Sequence, residues 1–76
     1  MISEIVKASA GLAGADRKVL AAALGISSQA MSNKYTRDSF SAIDLVKIAS
    51  ACGYRLAFTD EAGKAVIMFP DAVKSE

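Results

Sequence analysis

Residues 17–37 read R-K-V-L-A-A-A-L-G-I-S-S-Q-A-M-S-N-K-Y-T-R, and this stretch predicts two short helices joined by a tight turn. The apolar residues of the first helix recur at three- and four-residue spacing. They are Val19, Leu20, Ala23 and Leu24. Gly25 follows where helices commonly end in the left-handed conformation that glycine tolerates. We expect Ile26 to point inward and Ser27 to cap a second helix from residue 28 to about residue 35.

This second helix has a polar face that fits the edges of base pairs. At about 100° per residue, Ser28, Gln29, Ser32 and Asn33 share an arc of about 140°, while Met31 points the other way. Glutamine and asparagine can bond adenine through two hydrogen bonds, and serine can bond either base type. The alternative interpretation is an ordinary solvated helix face. The preceding helix, its glycine stop and the small Ala21 favour DNA recognition.

The segment L-A-A-A-L-G-I-S-S-Q-A-M-S-N-K, residues 20–34, resembles the helix-turn-helix of the lambda-repressor-like family, the Cro and C1 type of phage and bacterial regulators. The resemblance covers about residues 3–53 and implies a compact four-helix bundle with the second helix of the motif in the major groove. It implies that Ser28, Gln29, Ser32 and Asn33 face bases. The residues expected near phosphates are Arg17, Ser27, Lys34, Tyr35 and Arg37. For Tyr35, packing over the motif is an equal alternative.

The sequence departs from the family pattern at three places. Arg17 stands where the family often has glutamine, which changes or removes a phosphate clamp. The glycine that usually follows the recognition helix is missing from Y-T-R-D, residues 35–38. A strand-like segment replaces the final helix of many members.

The composition of the 76 residues predicts one small folded domain. Hydrophobic residues make up 53% of the chain, which argues against disorder. No apolar run approaches the roughly 18 residues that span a bilayer, and no signal-peptide pattern opens the chain, so we expect a cytoplasmic protein. The single cysteine, Cys52, is expected to be a thiol in the core. Because the chain has no histidine, we do not expect a zinc site.

The net charge of +1 is unevenly distributed. Residues 17–37 hold four basic residues and no acid, whereas the segments before and after them are net acidic. All of the excess positive charge therefore lies on the helix pair, as expected for a small phosphate-binding surface.

Two further helices are expected around the pair. Residues 2–10 predict a first helix with Ile2, Ile5, Val6 and Ser9 on one face, followed by a flexible connector, G-L-A-G-A, over 11–15. Asp16 is expected to cap the next helix. Ser41 and Asp44 resemble a capping box for a last helix that Gly53 ends. Its expected apolar stripe is Ile43, Leu45 or Val46, Ile48, Ala49 and Cys52, and Phe40 is expected to anchor in the core.

From Tyr54 onward the periodicity changes to two. Residues 54–59 and 65–69 predict the strands of a β-hairpin with a turn over 60–64, so the fold class is mainly α with a C-terminal β-hairpin. The expected boundaries are 1–53 for the bundle, 54–70 for the hairpin and 71–76 for a frayed tail. The second strand is apolar on both faces, which predicts that other parts of the protein or a partner bury both faces.

We expect two chains to meet through their hairpins, by edge pairing or by face packing, as a homodimer. The expected interface residues are Leu56, Phe58, Val66, Ile67, Met68 and Phe69. The alternative is a hairpin folded entirely onto its own bundle.

These features predict a sequence-specific regulator of transcription that binds double-stranded DNA, a Cro/C1-like repressor acting as a dimer on a pseudo-palindromic operator. The alternative is a protein-interaction module, such as an antitoxin that binds a toxin through the hairpin. With no histidine and no phosphate-binding glycine loop, we do not expect an enzyme. Neither a cofactor nor a metal nor a small-molecule effector is expected.

Overall fold

The computed structural model describes residues 1–70, so the expected frayed tail over 71–76 lies outside the described residues. The elements are α1 (Ile2–Ala13), α2 (Arg17–Leu24), α3 (Ser28–Arg37), α4 (Ala42–Ala51), β1 (Ala57–Thr59) and β2 (Ala65–Met68). Helix α2 packs against both α3 and α4, and α1 packs against α3. The predicted four-helix architecture with a following hairpin is confirmed.

Local hydrogen bonds set the starts of three helices. The Asp16 carboxylate accepts from the Val19 amide at 3.0 Å, and the Ser27 hydroxyl accepts from the Ala30 amide at 3.1 Å. Ser41 and Asp44 bond each other's backbone amides at 3.0 Å, which completes a capping box. All three predicted caps are therefore confirmed. Each cap accepts a hydrogen bond from a backbone amide that has no partner inside its helix.

Helix α1 is longer than predicted. The expected connector is wrong, because Gly11 lies inside α1 and the helix ends only at Gly14, which takes the left-handed conformation with φ 73°. A glycine in an exposed helix interior lowers the stability of the helix by only about 1 kcal/mol, so Gly11 is tolerated inside α1. Gly14 adopts the left-handed conformation in which helices commonly end. The buried face is also rotated from the predicted one: α1 buries Ser3, Val6 and Ala10.

The core lies where the four helices meet. Its buried apolar residues are Val6, Ala10, Leu20, Ala21, Met31, Ile48 and Cys52. Ile26 and Phe40 pack against this core, as predicted. Burial raises the pKa of the Cys52 thiol, which suits the predicted core role. Ile43 was expected on the inner stripe of α4, but its side chain is 63% exposed.

Asp38 joins the end of α3 to the beginning of α1. Its φ of 54° puts it in the left-handed region at the position that follows α3. The Asp38 carboxylate accepts from the Ser3 amide at 2.6 Å and lies 2.9 Å from the Ser3 hydroxyl. That hydroxyl also lies 2.8 Å from the Tyr35 carbonyl oxygen. An aspartate thus takes the conformation expected of the missing glycine, and its side chain holds two helices together.

The hairpin is antiparallel, with Phe58 opposite Ile67 and a register irregularity between Phe58 and Thr59. The Asp60 carboxylate closes the turn by accepting from the amides of Ala62 and Lys64 at 3.0 Å. Both strands are shorter than predicted, because β1 begins at Ala57 and β2 ends at Met68.

Apolar side chains of the hairpin remain exposed on both faces. The exposed fractions are 63% for Phe58, 64% for Val66, 63% for Ile67 and 52% for Met68. Within residues 1–70 the closest packing of each strand is against the other strand. These exposures do not fit the alternative in which the hairpin folds entirely onto its own bundle.

Candidate nucleic-acid interface

Four polar residues of α3 lie together on the side opposite its buried anchor. We call Ser28, Gln29, Ser32 and Asn33 the α3 polar face. Gln29 and Asn33 are exposed and the two serines are half-buried, whereas Met31 is fully buried. Because Met31 fastens the helix from behind, the polar face can present its side chains without contributing to the core.

The two amide side chains of the α3 polar face are paired. Gln29 Nε2 donates to Asn33 Oδ1 over 3.4 Å, near the upper limit of a hydrogen bond. This pairing leaves the Gln29 carbonyl oxygen as an acceptor and an Asn33 amide hydrogen as a donor at the surface. An adenine edge needs one acceptor and one donor in this way, so the pair is chemically suited to it.

Arg17 lies beside the α3 polar face, although it belongs to α2. Its Nη1 donates to Ser32 Oγ at 2.9 Å. A guanidinium has five N–H donors, so this bond leaves others for an anion. Within residues 1–70, Arg17 has no carboxylate at ion-pair distance.

Lys34 is turned away from the α3 polar face towards α4. Its Nζ lies 2.9 Å from the Asp44 carboxylate, and its side chain is 27% exposed. Partial burial acts to raise the pKa of the Asp44 carboxyl, but hydrogen bonds from Lys34 and from the Ser41 amide outweigh it and hold that pKa below its ordinary value. The sequence did not indicate this partner for Lys34, because its pattern places Asp44 only in the capping box.

Tyr35 is packed into the bundle. Its ring lies 5.9 Å from the Phe40 ring, centroid to centroid, and the Lys7 ammonium lies 5.1 Å from its centroid. Burial raises the pKa of the Tyr35 hydroxyl. The sequence left two roles open for Tyr35, a phosphate contact and packing over the helix pair, and these contacts match packing. The sequence did not indicate a role for Lys7, because the place of Lys7 beside Tyr35 depends on how α1 crosses α3.

The remaining two residues predicted near phosphates are exposed. The Ser27 hydroxyl accepts from the Ala30 amide as the cap of α3, and its own O–H can still donate. Arg37 lies in the last turn of α3, and within residues 1–70 it has no carboxylate at ion-pair distance. Arg37 follows Asn33 by one turn, so it lies beyond Asn33 on the border of the polar face opposite to Ser32.

The six residues predicted for a dimer interface are gathered on the hairpin. Leu56 and Phe69 are half-buried, and the other four are exposed. The rings of Phe58 and Phe69 lie 5.5 Å apart. By strand alternation, Phe58, Ile67 and Phe69 share one face, and Met68 lies on the other.

Comparison with protein families gives one result that bears on this surface. Residues 2–58 match the model of the bacteriophage CI repressor helix-turn-helix domain, and the match spans more than half of the chain. Comparisons with curated proteins and with solved structures found no match. In the part of the chain that the structure describes, no helix has the length and apolar character needed to cross a membrane.

Proposed function

The chain belongs to the bacteriophage CI repressor helix-turn-helix domain family, and from that premise we propose that the α3 polar face reads base edges in the major groove of an operator. The family makes the chain a DNA-binding regulator of transcription of the repressor type, and it is a DNA-binding family rather than an enzyme class. What remains to be assigned is which residues read the sequence and how two copies are arranged.

One observation carries this assignment. The exposed amides of Gln29 and Asn33 lie next to each other on a helix that Met31 anchors from behind. A helix so mounted can enter a major groove about 12 Å wide with its amides towards the bases. Arg17 and Arg37 on opposite borders of the face are suited to the two flanking sugar-phosphate strands, and these contacts set register without reading sequence.

The experiment is selection of bound duplexes from a random pool, followed by Gln29→Ala on the selected sequence. We expect an enriched palindrome, since two recognition helices about 34 Å apart would meet successive major grooves. Gln29→Ala should cost about 1–3 kcal/mol on the preferred duplex and little on random DNA.

Arg37→Gln is the matched comparison for a charge contact. It should weaken binding to both duplexes, because a phosphate contact does not depend on the base sequence. It should also lower the salt dependence of the affinity, because fewer counterions are released on binding. If Gln29→Ala weakened binding equally on every sequence, Gln29 would not be reading a base.

We further propose that two chains pair through their hairpins. Exposed apolar side chains on both faces of β2 support this arrangement, because a two-stranded hairpin alone is marginal in water. Pairing by strand edges and packing by faces are both compatible with the exposed groups.

A second candidate function rests on the same exposed hairpin. A different protein, such as a toxin, could cover Phe58, Ile67 and Met68 instead of a second copy. A stoichiometric partner that co-purifies and persists in high salt would favour this candidate, because DNA contacts weaken steeply as salt rises.

A further inference from the structure

A cleft of about 540 Å³ lies between α1, the beginning of α2 and the outer side of α3. The polar groups that line it come from all three helices: Lys7, Arg17, Ser32, Tyr35 and Thr36. The rest of the wall is formed by alanine and glycine residues of small volume. The cleft therefore combines open space with two cationic groups.

The two cations are held in place without being neutralised. The Lys7 ammonium lies 5.1 Å from the centroid of the Tyr35 ring, a distance at which the ring attracts a cation. Arg17 is fixed by its hydrogen bond to Ser32. Within residues 1–70, neither cation has a carboxylate at ion-pair distance. An anion that entered the cleft would meet two positive charges, and the described residues that line the cleft include no acid.

The position of the cleft indicates which anion this is. Ser32 belongs to both the cleft and the α3 polar face, so the cleft runs along one border of that face. Arg37 lies beyond the other border. The two sugar-phosphate strands of a duplex flank the major groove in the same way. We propose that Lys7 and Arg17 together seat one phosphodiester of the strand on the α1 side, and that Lys7 is a DNA contact.

This inference deepens the proposed function and depends on it. It assigns a role to α1, which lies outside the two helices of the helix-turn-helix motif. Since Lys7 would contact only the backbone, its contribution should be equal on the operator and on random DNA.

The test is the salt dependence of DNA affinity for Lys7→Met, which removes the charge and keeps much of the apolar stem over Tyr35. We expect the slope of log affinity against log salt to become shallower by up to about 0.9 for each bound chain, the value for one phosphate contact, and so by up to about 1.8 for a dimer, on operator and random duplex alike. Lys7→Arg should retain the wild-type slope. Lys64→Met is the matched control, because Lys64 lies in the hairpin turn outside the family match, and its slope should not change.

A thermal melt of each variant shows that the binding was measured on folded protein. Should Lys7→Met melt too low for use, Lys7→Gln takes its place. Ethylation interference supplies a second readout: of the phosphates whose ethylation blocks wild-type binding, one per half-site should lose its effect in the variant.

The outcomes separate this inference from the proposed function. Failure of the wild-type protein to bind any duplex in dilute buffer would overturn the proposed function itself. Normal operator binding with an unchanged slope for Lys7→Met would overturn only the phosphate seat. Stabilisation of the wild-type protein by inorganic phosphate, lost in Lys7→Met while the DNA slope stays the same, would show a site for a free anion and overturn the assignment to DNA.

Discussion

Asp38 shows how one residue can offset its own backbone cost. A backbone φ of 54° is unfavourable for a residue other than glycine, since its Cβ lies too close to the neighbouring carbonyl oxygen. The carboxylate compensates by accepting from the Ser3 amide, one of the unpaired amides in the first turn of α1. Hydrogen bonding from that amide lowers the pKa of the Asp38 carboxyl.

Substitutions at Asp38 should separate these two effects. Asp38→Ala loses the cap and keeps the backbone cost, so we expect the largest fall in the urea midpoint of unfolding. Asp38→Gly loses the cap but relieves the backbone, and should fall between Ala and wild type. Asp38→Asn tolerates the left-handed region and keeps an acceptor, so it should be the mildest. An alanine variant as stable as the wild type would contradict the capping role.

The same carboxyl should make stability depend on pH. Its folded pKa is lowered, so its contribution is complete above the ordinary aspartate value of about 3.9 and is lost as pH falls through the lower folded value. Asp38→Asn should therefore flatten part of the acid limb of the stability curve. Asp44 has a lowered pKa as well and should supply a separate part of that limb.

The Asp38 contact could not be predicted from sequence. It joins residues 35 positions apart, and its only local sign was a missing glycine. The α3 polar face, in contrast, followed from helical periodicity alone, because four side chains within two turns of one helix share a face wherever that helix is placed.

At the scale of elements, the Lys34–Asp44 ion pair connects α3 to the first turn of α4. The acid sits where the positive end of the α4 dipole favours it, and the base spans the gap. This use of Lys34 competes with the phosphate contact that the family resemblance implied.

Lys34→Met should decide between the two roles. We expect the free energy of unfolding to fall by about 0.5–1 kcal/mol, a value kept small because both groups retain contact with solvent. The salt dependence of DNA binding should stay at its wild-type slope. Lys18→Met, on an exposed lysine of α2, is the stability control. A slope that is shallower by about 0.9 for each bound chain would restore Lys34 as a phosphate contact.

The elements themselves were predictable to the extent that their signals are local. Capping residues at Asp16, Ser27 and Ser41 fixed three helix starts, because a cap acts within one turn. The end of α1 was misplaced, because Gly11 and Gly14 look alike in sequence and only Gly14 takes the left-handed conformation. The outward position of Ile43 depends on how α4 is rotated against α2, which no local pattern specifies.

At the scale of the whole molecule, the proposed pairing of two copies depends on the hairpin. Ile67 and Met68 lie on opposite faces of the hairpin and are both exposed. A substitution at each position therefore tests whether that face forms the proposed dimer interface. The sequence predicted the hairpin but could not choose its partner, because apolar strands pair with many surfaces.

Ile67→Asp should dissociate a dimer that packs through the face shared with Phe58, and Met68→Asp one that packs through the other face. A charge buried at such an interface has no partner and is strongly unfavourable. Sedimentation at micromolar concentration measures the change. Thr59→Asp is the control, at an exposed polar position of β1. A wild-type protein that sediments only as a 7.9 kDa species would remove the dimer.

The burial of Met31 beneath α3 has a consequence for how such a protein can change over evolutionary time. Hydrophobic anchorage comes from the side of the helix that carries Met31, while Gln29 and Asn33 are exposed on the other side and hydrogen-bond to each other. Exchanging those two amides for other polar side chains would leave the interior intact. Under the proposed base reading by Gln29 and Asn33, such substitutions would direct the protein to new operators with little effect on folding.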